Sequence, residues 1–270
     1  MSQPASSLRP PTPGRVPAVI TPWFWVVKAL TTAMGEAASD YMVKAFGPVP
    51  AVLVGFAVFC VALVVQLRMR RYLAWTYWLA VSMVAVFGTQ AADVLHIKFG
   101  VPYLASATFY AVVLAVIFYM WDRSEHTLSI HSIVNARPEL FYWAAVLATF
   151  ALGTALGDLT AITFKLGYFD AGVFFFIVIA VPALAYRVKA LGSVAAFWAA
   201  YVVTRPLGAS FADYMSKPRS ISGLNWGGGP VTLVLAAVIA VLVAYLAATR
   251  VDVPEATRVP TDPQVPSQRA

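Results

Sequence analysis

Four times along this chain a Trp is followed ten residues later by Gly, four residues on by a small residue, and next by Asp. The copies are Trp25–Gly35–Ser39–Asp40, Trp78–Gly88–Ala92–Asp93, Trp143–Gly153–Gly157–Asp158 and Trp198–Gly208–Ala212–Asp213. Their starts lie 53, 65 and 55 residues apart, which marks a repeated supersecondary unit. The surrounding sequence is apolar, so each copy sets a carboxylate in or near a lipid bilayer. An intramembrane acid is costly and is a functional candidate by default.

Composition supports the bilayer reading. The 270 residues are 60% hydrophobic and only 11% charged, with mean hydropathy +0.76. A soluble domain cannot bury that much apolar surface. Cys60 is the one cysteine, which excludes an intrachain disulfide framework and a CxxC metal or redox site. The net charge of +7 does not point to nucleic acid, because the basic residues are scattered between apolar segments. Met1 to Pro22 has no apolar core of a secretory signal, and it reads as a Pro- and Ser-rich disordered arm. Residues 251–270 read as a matching disordered tail.

Between the arms, residues 23–250 divide into repeats at about 23–70, 74–122, 140–189 and 192–250. Each repeat holds one polar-marked span followed by one plain span. The plain spans, Val49–Leu67, Val101–Trp121, Ala171–Tyr186 and Val231–Thr249, contain no Asp, Glu, Lys or Arg. The third is short for the ~30 Å hydrocarbon layer and needs extension at its ends. The marked spans run from about Trp23 to Lys44, Ala74 to Leu95, Leu140 to Phe164 and Gly192 to Met215. The expected fold is therefore an all-α integral membrane protein with eight transmembrane helices, built as four parallel two-helix repeats. Thr21-Pro22 starts the first helix, Gly47-Pro48 separates it from the second, and Pro182 predicts a kink in the sixth. Twelve Lys or Arg, from Arg9 to Arg269, fall on one side, against Lys44, Lys98, Lys165, Lys217 and Arg219 on the other. That bias puts both termini in the cytoplasm of a bacterial inner-membrane protein.

The repeated positions divide by chemistry. Trp suits the interface belt. Gly35, Gly88, Gly153, Gly157 and Gly208 carry the small-xxx-small pattern that lets helices approach closely, and a helix break at the Gly is the alternative. Each Asp lies ~22 Å along the helix from its Trp. There it could cap a neighbouring helix, pair with the Lys that follows or reach outside water, or the four could line a shared pathway. Gathered on one axis, Glu36, Asp40, Asp93, Asp158 and Asp213 outnumber the two deep cations, Lys28 and Arg205. Uncompensated charge at low dielectric calls for protonation or a bound cation. Thr32, Ser39, Thr89, Gln90, Thr154 and Ser210 supply further oxygen and amide groups. Such a set suits protons, Na⁺, Mg²⁺, Ca²⁺ or Mn²⁺, and the scarcity of Cys and His disfavours Cu(I), Zn²⁺ and haem. Arg205-Pro206 implies a kink and a cation that needs pairing, by an Asp of another repeat. The glycines from Gly223 to Gly229 read as a mobile loop.

Phe24-Trp25-Val26-Val27-Lys28-Ala29-Leu30-Thr31-Thr32, with Gly35-Glu36 and Ser39-Asp40, and the Thr204–Asp213 stretch resemble a group of uncharacterised bacterial membrane proteins. These are made of four tandem two-helix repeats, each with a Trp, and are often labelled "membrane-anchored". The resemblance covers Trp23 to Thr249. It implies the repeat architecture and a bacterial membrane, and no settled activity. Units two and three depart from it in lacking the Glu found at Glu36, and Leu224-Asn225-Trp226 interrupts the Gly cluster.

The expected function is secondary transport or export of a small hard cation coupled to protons, with the five acids as ligands or proton carriers and Lys28 and Arg205 tuning them. The alternative is a membrane scaffold or accessory subunit whose acids knit helices together. No Ser/His/Asp set or HExxH motif suggests an enzyme, and no cofactor is expected.

Overall fold

A computed structural model describes residues 14–254, and the regular structure among them is helical. Thr21 accepts a hydrogen bond from the Phe24 amide and Pro22 opens α1 (Pro22–Phe46), as the N-cap signal predicts. Gly47, at φ +83°, turns the chain into α2 (Pro48–Arg68), where Pro48 again supplies the first turn. The remaining elements are α3 (Ala74–Asp93), α4 (Tyr103–Glu125), α5 (Ala136–Asp158), α6 (Gly167–Val178), α7 (Ala180–Arg187), α8 (Ser193–Ser216) and α9 (Gly228–Thr249). In the second and third repeats the marked helix runs on past its Asp into a π turn, Val94–Lys98 and Leu159–Thr163.

The four marked helices close a ring: α1 packs on α3, α3 on α5, α5 on α8, and α8 back on α1. The repeated residues explain the closure. Each repeat Gly faces the residue seven places after the Trp of the next repeat, so Gly35 meets Ala85, Gly88 meets Phe150, Gly153 meets Arg205, and Gly208 returns to Thr32. A Cβ at any of these glycines would overlap its neighbour, hence the small residue. The helices continue through these glycines, so the packing reading holds and a helix break does not occur.

The Trp residues close the ring a second time. The aromatic before each Trp packs on the Trp of the next repeat: Phe24 on Trp78 at 5.5 Å between centroids, Tyr77 on Trp143 at 5.8 Å, Tyr142 on Trp198 at 6.1 Å, and Phe197 on Trp25 at 5.7 Å. These starts all meet, so the marked helices run in one direction. The belt reading of the Trp residues is corrected here. Trp78, Trp143 and Trp198 are buried, because a closed ring turns them toward each other rather than toward the bilayer interface.

Each plain helix leans on the marked helix of the following repeat: α2 on α3, α4 on α5, α6 and α7 on α8, and α9 on α1. It buries one stripe and exposes the rest, as Leu53, Val61, Val112, Val116, Leu233 and Val241 show. Six helical stretches among the described residues are long and apolar enough to cross a membrane. α1 and α8 are equally long but spend their length on polar residues buried in the ring. The third plain span reaches from Gly167 to Arg187, longer than the sequence implied. It breaks between α6 and α7 at Ile179, because Pro182 offers no N–H to the Val178 carbonyl one turn earlier.

Parts of both arms belong to the fold. Val16 is buried, Arg15 reaches Glu139 Oε2 at 2.9 Å, and Tyr72 N donates to Gly14 O at 2.9 Å. Val19 N donates to Asp252 O at 3.2 Å, and Tyr72 Oη donates to Asp252 Oδ2 at 2.5 Å. The disordered-arm reading is therefore corrected for residues 14–22 and 251–254, where specific partners override a polar, Pro-rich composition. The rest of each arm, with Arg9, Arg258 and Arg269, lies outside the described residues.

Candidate functional site

One face of every marked helix points at the ring axis. Side chains four residues apart lie ~40° apart on that face, so successive turns build successive tiers. Nearest the Trp end, Tyr77 and Tyr142 share a hydrogen bond of 2.5 Å between hydroxyls. Above them Lys28 Nζ stands 4.2 Å from the Tyr201 ring centroid and 4.4 Å from that of Phe150, fully buried and, among the described residues, without a hydrogen-bond acceptor. Both rings turn a face to the ammonium.

The next tiers hold a network with one member from each repeat. Arg205, from the fourth, donates through Nη2 to Glu36 Oε2 of the first at 2.9 Å and to Thr154 Oγ1 of the third at 2.8 Å. The same Nη2 meets Thr89 Oγ1 of the second, and Nη1 donates to the Thr32 carbonyl at 2.9 Å. Thr89 and Thr154 also donate to Glu36 Oε2, each at 3.3 Å. Glu36, Thr89 and Thr154 occupy the same repeat position, which is why three helices deliver them to one tier. Arg205 packs over Phe150 at 4.9 Å. The sequence expected an Asp to pair Arg205, and the partner is Glu36, one turn beyond the Thr32 carbonyl that the same guanidinium reaches.

At the Asp end, carboxylate oxygens of Glu36, Asp40 and Asp213 lie within 4.8 Å of one another. Asp213 is buried and Asp40 half-buried. Lys217 Nζ sits 2.5 Å from Asp40 Oδ2 and 3.6 Å from Asp213 Oδ1. Asp93 and Asp158 are half-buried and within electrostatic range of Glu36, Asp40 and each other. Neither forms an ion pair or a side-chain hydrogen bond among the described residues.

Two-helix units repeated around an axis, each carrying the Trp, Gly and Asp, match a family model described as a Repeat of Unknown Function (DUF347), over residues 23–72, 76–127, 141–190 and 196–252. The chain belongs to the DUF347 repeat family. The four DUF347 repeats fall where the Trp spacing placed them. No curated protein and no solved structure matches the chain.

Of the DUF347 ring's predicted site residues, Glu36, Asp40, Asp213, Arg205, Thr89 and Thr154 meet on the axis, with Asp93 and Asp158 beside them. Thr32 contributes its carbonyl, while its hydroxyl donates to Ala29 O at 2.6 Å. Three polar residues do not join. Gln90 is turned toward α2, its Oε1 against Gly55 and its Nε2 3.9 Å from Met42 Sδ. Ser210 lies against Gly157 in the α5–α8 seam, and Ser39 is buried with its hydroxyl unbonded. Gly157 has more room than the other repeat glycines, its nearest neighbour being Ala209 at 3.7 Å from an added Cβ.

The Gly-rich segment is not a loose loop. Leu224 N, Asn225 N and Trp226 N donate to the carbonyls of Tyr214, Lys217 and Met215 at 2.6, 2.9 and 3.0 Å, and Gly228 and Gly229 rest on Tyr41. Two features escaped the sequence reading. Lys217 was read as a partner for the Asp before it, which it is at 3.6 Å from Asp213, but its closer pairing with Asp40 was missed. Glu139, fully buried, pairs with Arg15 and accepts from Gln66 Nε2 at 3.2 Å. A lone acid in the first turn of α5 gives no hint that an arm will reach it.

Proposed function

We propose that this polytopic membrane protein carries a small hard cation across a bacterial cytoplasmic membrane, coupled to protons, with the ring axis as the path. In this reading all eight long helical stretches span the bilayer, the Trp end and both termini face the cytoplasm, and the Asp end faces out. The protein acts as a carrier rather than as a catalyst.

The observation that supports the reading best is the meeting of Glu36, Asp40 and Asp213 within 4.8 Å at the Asp end. Three carboxylates held that close in apolar surroundings repel one another unless a cation or proton intervenes. Arg205 neutralises only Glu36. Asp93 and Asp158, which form no ion pair among the described residues, are the proton carriers in this reading. The oxygen-only donor set selects a hard ion. Movement toward the Trp end requires Arg205 and Glu36 to part, so their pair is the gate between the outer site and the Lys28 tier.

The scaffold reading has its own support: the Glu36–Arg205–Thr89–Thr154 network ties all four repeats. Proteoliposomes separate the two. Loaded with a pH-sensitive dye and offered Mn²⁺, Mg²⁺, Ca²⁺ or Na⁺, wild-type protein is expected to exchange one of these for protons. Asp40→Asn is expected to abolish the flux while eluting as a folded protein. Absence of any ion-driven proton movement by the wild type refutes the transport reading and leaves the scaffold.

A further inference from the structure

The carboxylate cluster already holds a cation, and it belongs to the chain. Lys217 follows the last residue of α8 and turns its ammonium between Asp40 of the first repeat and Asp213 of its own. Lys44 occupies the same repeat position and points to solvent instead. The difference lies in the backbone. Lys217 N donates to Asp213 O at 2.8 Å, and its carbonyl accepts from Asn225 N at 2.9 Å. Gly223 presses so close that any Cβ there would strike that carbonyl. The main chain is pinned, while the four-methylene side chain can pivot.

Exposure is unequal across the cluster. The Lys217 side chain is 28% exposed and that of Asp213 only 5%. The ammonium has a way out to water and the carboxylate has none. Asp213 Oδ1 is shut off from solvent and accepts no hydrogen bond, and the ammonium at 3.6 Å is its one compensating charge among the described residues. A buried carboxylate oxygen without a donor is under-satisfied and calls for a closer positive partner. The donors that Glu36 meets among the described residues all reach Oε2.

Charge balance then specifies the visitor. Arg205 cancels Glu36. With both ionised, Asp40 and Asp213 carry two negative charges, against one on Lys217. With the ammonium swung out, two uncompensated carboxylates remain, the complement of a divalent ion bound through oxygen. We propose that Lys217 is a tethered counter-cation: it fills a divalent-cation site formed by Asp40, Asp213 and Glu36 when that site is unloaded, and an arriving divalent ion displaces it into solvent. The inference rests on reading the cluster as a cation site. It adds the valence of the ion and a built-in competitor that keeps the site from being left bare.

The test uses the full-length protein in detergent at low ionic strength. Thermal unfolding is followed against CaCl₂, MnCl₂, MgCl₂ and NaCl after treatment with chelator. Removing the competing charge is expected to tighten divalent binding by about tenfold or more, so Lys217→Gln should reach half-maximal stabilisation at correspondingly lower metal than wild type, with no response to Na⁺. Lys217→Arg keeps the charge and should bind no tighter than wild type. Adding Asp213→Asn to Lys217→Gln should remove the metal response. Wild-type affinity in Lys217→Gln overturns the displacement while leaving a cation site in place. No stabilisation of either protein by any ion overturns both the displacement and the cation site. A second measurement needs no variant. Labelling of Lys217 in the wild type by a water-soluble amine-reactive ester, read by mass spectrometry, should rise on addition of the divalent ion. Unchanged labelling overturns the inference even if Lys217→Gln does not fold.

Discussion

Glu36 and Arg205 are fully enclosed by helices from all four repeats, and the energetics of that enclosure are asymmetric. Removing one partner leaves an uncompensated charge at low dielectric. Glu36→Gln and Arg205→Met are each expected to lower unfolding stability in detergent by about 3–5 kcal/mol. The double variant is expected to recover most of the loss, because two neutral side chains of similar volume leave no orphaned charge. A thermal-unfolding double-mutant cycle measures this, and additive losses would show that the two residues act separately. The sequence named both residues and misassigned the pairing. Glu36 stands eleven places after Trp25 and Arg205 seven after Trp198, so repeat arithmetic puts them on different turns. Only the reach of the long Arg205 side chain, past the Thr32 carbonyl to Glu36, closes that gap. The pairing of Lys217 with Asp40 was illegible for a related reason. Its partner Asp40 lies in another repeat, and its orientation depends on hydrogen bonds from the segment beyond it.

At the scale of the helix, the sequence was most informative where proline and glycine act on the backbone alone. Thr21-Pro22 and Gly47-Pro48 set the ends of α1 and α2 without tertiary help. The repeat glycines were read as packing residues, and their neighbours show why the reading works in a ring. Gly153→Ala would drive a methyl into the Arg205 side chain and to 3.0 Å from Pro206 Cδ, which a ring-locked proline cannot vacate. We expect a loss of about 1–3 kcal/mol. Gly192, before α8, faces open space at an ordinary φ of −69°. Gly192→Ala should fall within about 0.5 kcal/mol of wild type. Unfolding of both variants in one detergent makes the comparison, and equal effects would refute the close-approach account. The Trp residues misled because the same amphipathic ring suits a membrane interface and a buried floor. Only the closure of α1 to α8 decides between them. The π turns after Asp93 and Asp158 had no visible sequence signal, since they add residues to a helix without a Gly or Pro to announce them.

For the molecule as a whole, the order of the repeats in sequence is their order around the axis; the sequence foresaw parallel repeats about one axis, and the order came from the packing. Orientation in the membrane is testable directly. In a Cys60→Ser background, Arg219→Cys should react with a membrane-impermeant maleimide applied to intact cells, and Lys189→Cys only after lysis. The opposite pattern inverts the proposed topology. The Trp end also carries a pH-dependent clasp. Burial, and then the Asp252 carboxylate, hold the Tyr72 phenol above the ordinary tyrosine value. A raised folded value means that the clasp contributes fully below the unfolded value of about 10 and is lost as pH climbs beyond it. Wild-type stability should therefore fall more steeply with alkaline pH than that of Tyr72→Phe, as unfolding scans from pH 8 upward would reveal. Matching slopes would dismiss the clasp. The arms were misread because their composition signals disorder, while Arg15, Val19 and Asp252 find partners only once four helix starts have gathered. That gathering sets Val19 and Asp252 side by side, with an amide-to-carbonyl bond of 3.2 Å. A circle of four alike units whose first and last members touch has no obligatory beginning. Splicing the two ends and severing the connection between α7 and α8 would yield a circular permutant that opens on the fourth repeat and still assembles the same ring.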